Sequence, residues 1–271
     1  MQVTGNNLIY NKSLSIRLCT GGFSFSIHTP QDKPSFRFIP YNVDPTISMA
    51  ANLKKALAQT PDTHHPYHSV QVVVDGPVSY ISFEQFEEEN VDTIFNFSHP
   101  TEEGKKILYN ILSRTNMVVL FSIDKGVYQI LTEQYNNVHF YASESPLLEH
   151  LQERSKRRET RKMYAIFLTS KMHLFIYDNG KLQFANAFSC LDINDALYFM
   201  LQAWQIQGLD QRKDELTLGG QIPARESIVA ELHNYIQQVY IINPSSEFNR
   251  SEIAKDSNVT YDIQSLLLCG I

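Results

Sequence analysis

The sequence predicts an α/β protein of two duplicated lobes, each a mixed sheet flanked by helices. Three observations carry this. LSIRLCTGGFSFSIHTP, SFRFIPY, DPTISMAANLKKALAQT and SVQVVVDGP recur in kind as MYAIFLTSKMHLFIYDNG, KLQFANAF, LDINDALYFMLQAWQIQG and ELTLGGQIP. Both sets run in the order strand, strand, strand, capped helix, strand. The chain, at 271 residues, is long enough for two lobes that each bury a core.

In the first half, Leu14, Ile16 and Leu18 alternate, as do Phe23, Phe25 and Ile27, which is the period-two pattern of paired strands. Gly21 and Gly22 between them predict a hairpin turn that uses glycine's freedom at positive φ. Ser35 to Pro40 supplies a third strand. Asp44 is expected to cap a helix with Pro45 at its first position and Ile47, Ala50, Ala51, Leu53 and Leu57 on its inner face. Val70 to Val74 is a continuous apolar run before Asp75-Gly76-Pro77, as befits a strand buried on both faces. From Val78 to Asn137 we expect a strand running into an acidic helix in ISFEQFEEEN, a helix in HPTEEGKKILYNILSRT, and a hairpin in MVVLFSIDKGVYQILT turning at Asp124-Lys125-Gly126. Val138 to Ala142 then closes the lobe, succeeded by a helix from Ser145 to Arg158 capped by Ser143 or Ser145 with Leu147, Leu148 and Leu151 inward.

The second half repeats the scheme. Strands are expected over Met163 to Thr169, His173 to Tyr177 and Lys181 to Phe188, with Asp178-Asn179-Gly180 a hairpin signal. Asp192 or Asn194 caps a helix that buries Ala196, Phe199, Met200, Ala203 and Trp204 and stops at Gly208. Leu216 to Leu218 is a short strand, Pro223 opens a helix to about His233, and Tyr235 to Ile242 closes the sheet. YDIQSLLLCGI is apolar enough to dock as a C-terminal tail. The expected domains are 1–158, with an elaboration at about 78–137, and 159–271.

Composition narrows the function classes. Hydrophobic residues make up 43% and charged residues 19%, which is ordinary for globular chains. A formal charge of -6 argues against general affinity for nucleic acid, which requires clustered cations. No apolar run approaches the ~18 residues of a membrane span, and no basic stretch and apolar region resembles a leader, so a cytoplasmic protein without a membrane span is expected. Cys19, Cys190 and Cys269 form no CxxC pair and are expected to be buried free thiols.

The repeated unit with its helix after the third strand resembles the ribonuclease-H-like lobe of the actin, sugar-kinase and heat-shock-ATPase superfamily. It is most similar to the bacterial actin-like branch typified by the pilus-assembly protein PilM and the division protein FtsA. The openings LSIRLCTGGFSFSI and KMYAIFLTSKMHLFIYDNGKLQFANAF resemble an uncharacterised bacterial family known only as a domain of unknown function. The likeness extends over roughly Leu14 to Ile242. It implies two turns facing nucleotide phosphates, here Thr20, Gly21 and Gly22 in the first lobe and Ser170 and Lys171 in the second. It also implies a glycine pair, Gly219 and Gly220, against which adenosine packs. In that superfamily an Asp on the first strand holds Mg²⁺ through water. Neither turn here carries a carboxylate, although magnesium needs hard oxygen ligands and a triphosphate needs its charge neutralised.

The expected function is therefore a catalytically degenerate binding or assembly module that takes a protein partner or itself and needs no cofactor. A weak ATPase using ATP and Mg²⁺ at those turns is the alternative, and a ribonuclease-H-like RNA-associated protein a further one. RSKRRETRK gives six cations and one Glu, with Arg154, Lys156, Arg157, Arg158, Arg161 and Lys162 as a candidate patch for a partner, an anion or RNA. FEEEN offers an acidic counterpart. Lys125 and Lys171 are expected at hairpin tips, Asp75 in an Asx-turn or cap, and His64, His65 and His68 in a surface loop without metal spacing. No catalytic acid, nucleophile or metal site is expected.

Overall fold

The computed structural model describes residues 12–29, 35–100, 102–169, 171–248 and 251–269. The chain divides into two compact units, Met1–Ile111 with Asn116–Ser145 and Leu112–Thr115 with Pro146–Ile271.

In the first unit β1 (Ser13–Cys19), β2 (Gly22–Thr29) and β3 (Ser35–Asn42) form an antiparallel meander. β4 (Ser69–Val74) and β8 (Val138–Ala142) extend it in parallel, giving the order β3-β2-β1-β4-β8. Val70, Val72, Val73 and Val74 are buried, as a strand covered on both faces requires. Helix α1 spans Met49–Gln59 and starts later than expected, because Ser48 caps it by accepting from the Ala51 N–H. Asp44 instead forms an Asx-turn with Thr46, so Ile47 lies exposed, and the inner stripe is Asn52, Leu53, Ala56 and Leu57.

The elaboration departs most from the sequence reading. β5 (Val78–Ser82) leads through two 3-10 turns, Phe83–Gln85 and Glu88–Asn90, to α2 (Val91–Ser98). The segment expected as a helix is strand β6 (Lys105–Leu112), the outer strand of a sheet ordered β5-β7-β6 with β7 (Met117–Asp124). Ile81, Val91, Phe95, Val118 and Leu120 form its small core. Asp124-Lys125-Gly126 is no hairpin either. Asp124 accepts from the Val127 N–H and caps α3 (Lys125–Gln134), so Lys125 opens a helix. Gly126 lets α1 approach closely, since an added Cβ would lie 3.1 Å from that of Ala50.

Helix α4 (Glu144–Ser155) comes next, with Leu147, Leu148 and Leu151 fully buried. The division of the chain falls within it at residue 145 rather than beyond it at 158. The second unit then repeats the first in β9 (Lys162–Leu168), β10 (Lys171–Asp178), β11 (Lys181–Ser189), β12 (Glu215–Gly220) and β13 (Gln238–Ile241), ordered β11-β10-β9-β12-β13. Asn179 and Gly180 take positive φ of 45° and 80°, the signature of a two-residue hairpin turn. Asp192 caps α5 (Ile193–Ile206), which buries Ala196, Met200, Ala203 and Trp204 and half-buries Phe199, and Gly208 leaves it at φ 61°. α6 (Arg225–Leu232) begins two residues past Pro223, and β13 is shorter than expected because Tyr235 and Ile236 continue the turns that end α6. After α7 (Pro244–Glu247) and α8 (Glu252–Lys255), the tail forms α9 (Tyr261–Cys269), which packs against β9 and buries Tyr261, Ile263 and Leu266. No helix among the described residues is long and apolar enough to cross a membrane.

Candidate functional site

The first turn expected to face phosphate is Thr20-Gly21, between the paired Cys19 and Gly22. Neither glycine takes positive φ. Gly22 is needed for another reason: a Cβ there would stand 2.6 Å from the Tyr41 carbonyl oxygen of β3. Thr20 borders a cleft of about 350 Å³ formed by the carboxyl ends of β1 and β4 and the start of α3. Sequence alone did not place acids there, yet Asp75, Glu102 and Asp124 line it, with the exposed Glu102 at 3.7 Å from Lys105. Asp75 and Asp124 are engaged more closely. Asp75 accepts from the Arg17 guanidinium at 2.9 Å, with both side chains 4% exposed, and Asp124 caps α3. Asp75 is thus half of a buried ion pair with Arg17. A hollow of about 520 Å³ adjoins the cleft and shares Pro77, Glu102, Lys105 and Ser122 with it.

In the second unit Thr169 turns the chain at φ 29°, Lys171 opens β10, and Ser170 lies outside the described residues. Thr169 and Lys171 border a hollow of about 140 Å³ with Cys190, Asp192 and Gln221. The glycine pair ends β12. Gly219 is wedged between Ile166 and Ile242, whose Cδ1 atoms would lie 2.8 and 2.9 Å from an added Cβ. Gly220 takes φ 77°, and a Cβ there would stand 2.1 Å from the Phe167 carbonyl oxygen, which accepts from the Gln221 N–H. Backbone geometry therefore requires glycine at Gly220, and side-chain packing favours it at Gly219, without any ligand.

The basic run is divided by its contacts. Lys162 is buried and donates to the carbonyls of Ser155, Arg158 and Thr160 at 3.1, 2.9 and 3.1 Å, satisfying the end of α4, while burial pulls its ammonium below the ordinary lysine range. Arg161 pairs with Asp214 at 3.0 Å, Lys156 with Glu153 at 3.1 Å, and Arg158 with Glu215 at 3.4 Å. Arg154 donates to Glu247 at 2.6 Å. The Glu247 carboxylate also accepts from His150 Nε2 and the Tyr261 hydroxyl, at 2.9 and 3.0 Å, fastening the tail. The exposed Arg157 side chain makes no ion pair among the described residues.

The remaining candidates are ordinary. His64, His65 and His68 are exposed, and among the described residues no group of His, Cys, Asp and Glu could hold a metal. In FEEEN, Glu87 accepts from Asn90 and Glu88 from the Tyr109 hydroxyl. Cys19 and Cys190 are free and half-buried rather than buried, and the Cys269 side chain lies outside the described set.

Two sheets of identical order, each led by a hairpin and closed by parallel strands, define an actin-like ATPase fold. The chain belongs to the family of proteins of unknown function DUF3822, which matches residues 5–239. A Bacteroides thetaiotaomicron protein with an actin-like ATPase fold and unknown function is 32% identical, with 98% of this chain and 100% of that chain covered and a TM-score of 0.84. The PilM–PilN type IV pilus biogenesis complex matches at 11% identity over 94% of this chain and 97% of that chain, with a TM-score of 0.55. No curated protein matches.

Proposed function

We propose that this chain is a non-hydrolysing member of the actin-like fold that acts as a binding or assembly module for a protein partner or a second copy, without nucleotide cofactor. One observation carries the reading: neither turn expected to face the nucleotide phosphates has a carboxylate, and the three acids lining the first cleft each have a partner, Asp75 in Arg17, Asp124 in the start of α3 and the exposed Glu102 in Lys105 at 3.7 Å. A metal-bound triphosphate needs uncommitted hard oxygen ligands to stabilise charge during transfer. The glycine pair gives no independent support for adenosine, since packing accounts for it. That PilM is seen in complex with PilN supports an assembly role for the fold.

The test is ATP hydrolysis by the purified full chain with Mg²⁺. The expected rate equals that of a mock preparation, and ATP or ADP should not raise the melting temperature. Turnover that falls on Asp75→Asn would overturn the proposal. Stabilisation by nucleotide approaching the roughly 2.7 kcal/mol expected at 100 times Kd would also do so, in favour of an ATP-binding protein. Sedimentation velocity separates the two forms of assembly, because self-association shows as mass that grows with concentration.

A further inference from the structure

On the second unit, a pocket of about 250 Å³ opens beside the end of α4. Its floor is one register row across three parallel strands, in which Tyr164 of β9 pairs with Thr217 of β12 and Thr217 with Tyr240 of β13. Its wall is Arg154, Arg157 and Arg158. Lys162 and Glu215, also in the lining, hold the adjoining row and are engaged by the chain itself, Lys162 by three carbonyls and Glu215 by Arg158 and Thr160. Tyr164 and Thr217 are 1% and 3% exposed, yet among the described residues neither hydroxyl has a hydrogen-bond partner. Both hydroxyl-bearing residues line one pocket beneath an arginine with no ion pair, in a chain whose formal charge is -6. Burial raises the Tyr164 phenol well above neutrality, so that it remains a donor.

We propose that this pocket binds a single phosphoryl group, as free phosphate or a small phosphate monoester, with Tyr164 and Thr217 donating from the floor and Arg157, with the outer N–H groups of Arg154 and Arg158, from the wall. Donors converge from two directions. A tetrahedral dianion presents oxygens to both, whereas a planar carboxylate turned toward one arginine fork presents its oxygens in that plane alone. The volume is below the ~300 Å³ at which pockets for larger ligands begin, and so suits a small anion better than a whole nucleotide. The pocket lies where β9 and β12 begin, at the opposite end from Thr169 and Gly220, and so does not depend on the nucleotide turn.

The test is calorimetric titration of the full chain with inorganic phosphate and glycerol phosphate at fixed ionic strength, with acetate as the carboxylate control. Saturable binding of one phosphoryl ligand per chain is expected. The preferred arm identifies whether ion or ester is the natural form. Tyr164→Phe, which keeps the ring, and Arg157→Gln, at an exposed position, should each weaken binding at least about tenfold, while Lys213→Gln leaves it unchanged. Should Tyr164→Phe fail to fold, Thr217→Val provides the same loss of a hydroxyl. The proposal is overturned if phosphate does not bind, if acetate binds as well, if the variants bind like wild type, or if binding is lost instead on Lys171→Gln, which would put the anion at the turn. None of these outcomes depends on whether ATP is hydrolysed.

Discussion

At the scale of single residues, burial and charge decide what each acid can do. Burial alone would raise the Glu247 carboxyl, but the His150 N–H, the Arg154 guanidinium and the Tyr261 hydroxyl outweigh it and hold the group below the usual carboxylate range. A folded pKa below the unfolded value, about 4.3 for Glu, means that its contribution to stability is present above that pH and is lost as pH falls through the folded value. Urea unfolding should therefore show Glu247→Gln less stable than wild type by roughly 2 kcal/mol near neutrality, with the gap closing in acid below about pH 4. A gap that stays constant from neutral pH into acid would mean that the carboxylate charge is not what holds the tail. Asp75 obeys the same logic in the other unit. Its place at a strand end was legible in the sequence, but only the fold brought Arg17 beside it on the neighbouring strand.

Elements show how far local pattern carries. In KKILYNIL, Ile107, Leu108, Ile111 and Leu112 recur at helical spacing, yet the segment is a strand because pairing with β7 completes a third sheet. Short apolar runs are ambiguous by periodicity alone, and the partner settles them. Asp124-Lys125-Gly126 failed likewise: the same residues that favour a hairpin favour a helix cap, and the downstream segment, here the amphipathic α3, selects between them. The glycines of β12 give a test at this scale. Gly220→Ala forces a side chain into the left-handed region and against a backbone carbonyl, so it should cost about 2 kcal/mol or more. Gly219→Ala meets only the movable ends of two isoleucines and should cost less. Equal losses in thermal unfolding would show that the backbone at Gly220 relaxes freely. Loss of any nucleotide effect in a Gly220 variant would accordingly need a folding control before it said anything about a ligand.

For the whole molecule, duplication dominates. Each unit builds its sheet from a three-stranded meander extended by two parallel strands, and the second adds a tail helix that covers β9. Burying a large apolar side chain contributes roughly 1.5–3 kcal/mol, so withdrawing Tyr261, Ile263 and Leu266 removes an amount comparable to the ~5–15 kcal/mol net stability of a domain. A chain ending at residue 250 should therefore show an early calorimetric transition from the second unit, while the first unit melts as in the intact protein. A single unchanged transition would show that α9 contributes little.

Local sequence was enough to set the repeated order of strands and helices, the central strands, a helix cap at Asp192 or Asn194 with its stop at Gly208, the hairpin at Asn179-Gly180 and the docking of the tail, because each depends on periodicity or on residues a few positions apart. It was also enough to show that the turns Thr20–Gly22 and Thr169–Lys171 lack acids. Which charges are engaged is a property of the folded chain alone. Folding pairs Arg17 with Asp75, gathers His150, Arg154 and Tyr261 on Glu247, divides the basic run into capping, paired and exposed members, and aligns Tyr164, Thr217 and Tyr240 in one row. Those partners lie far apart along the chain, and pattern within a segment holds no information about which distant strand or helix will lie beside it.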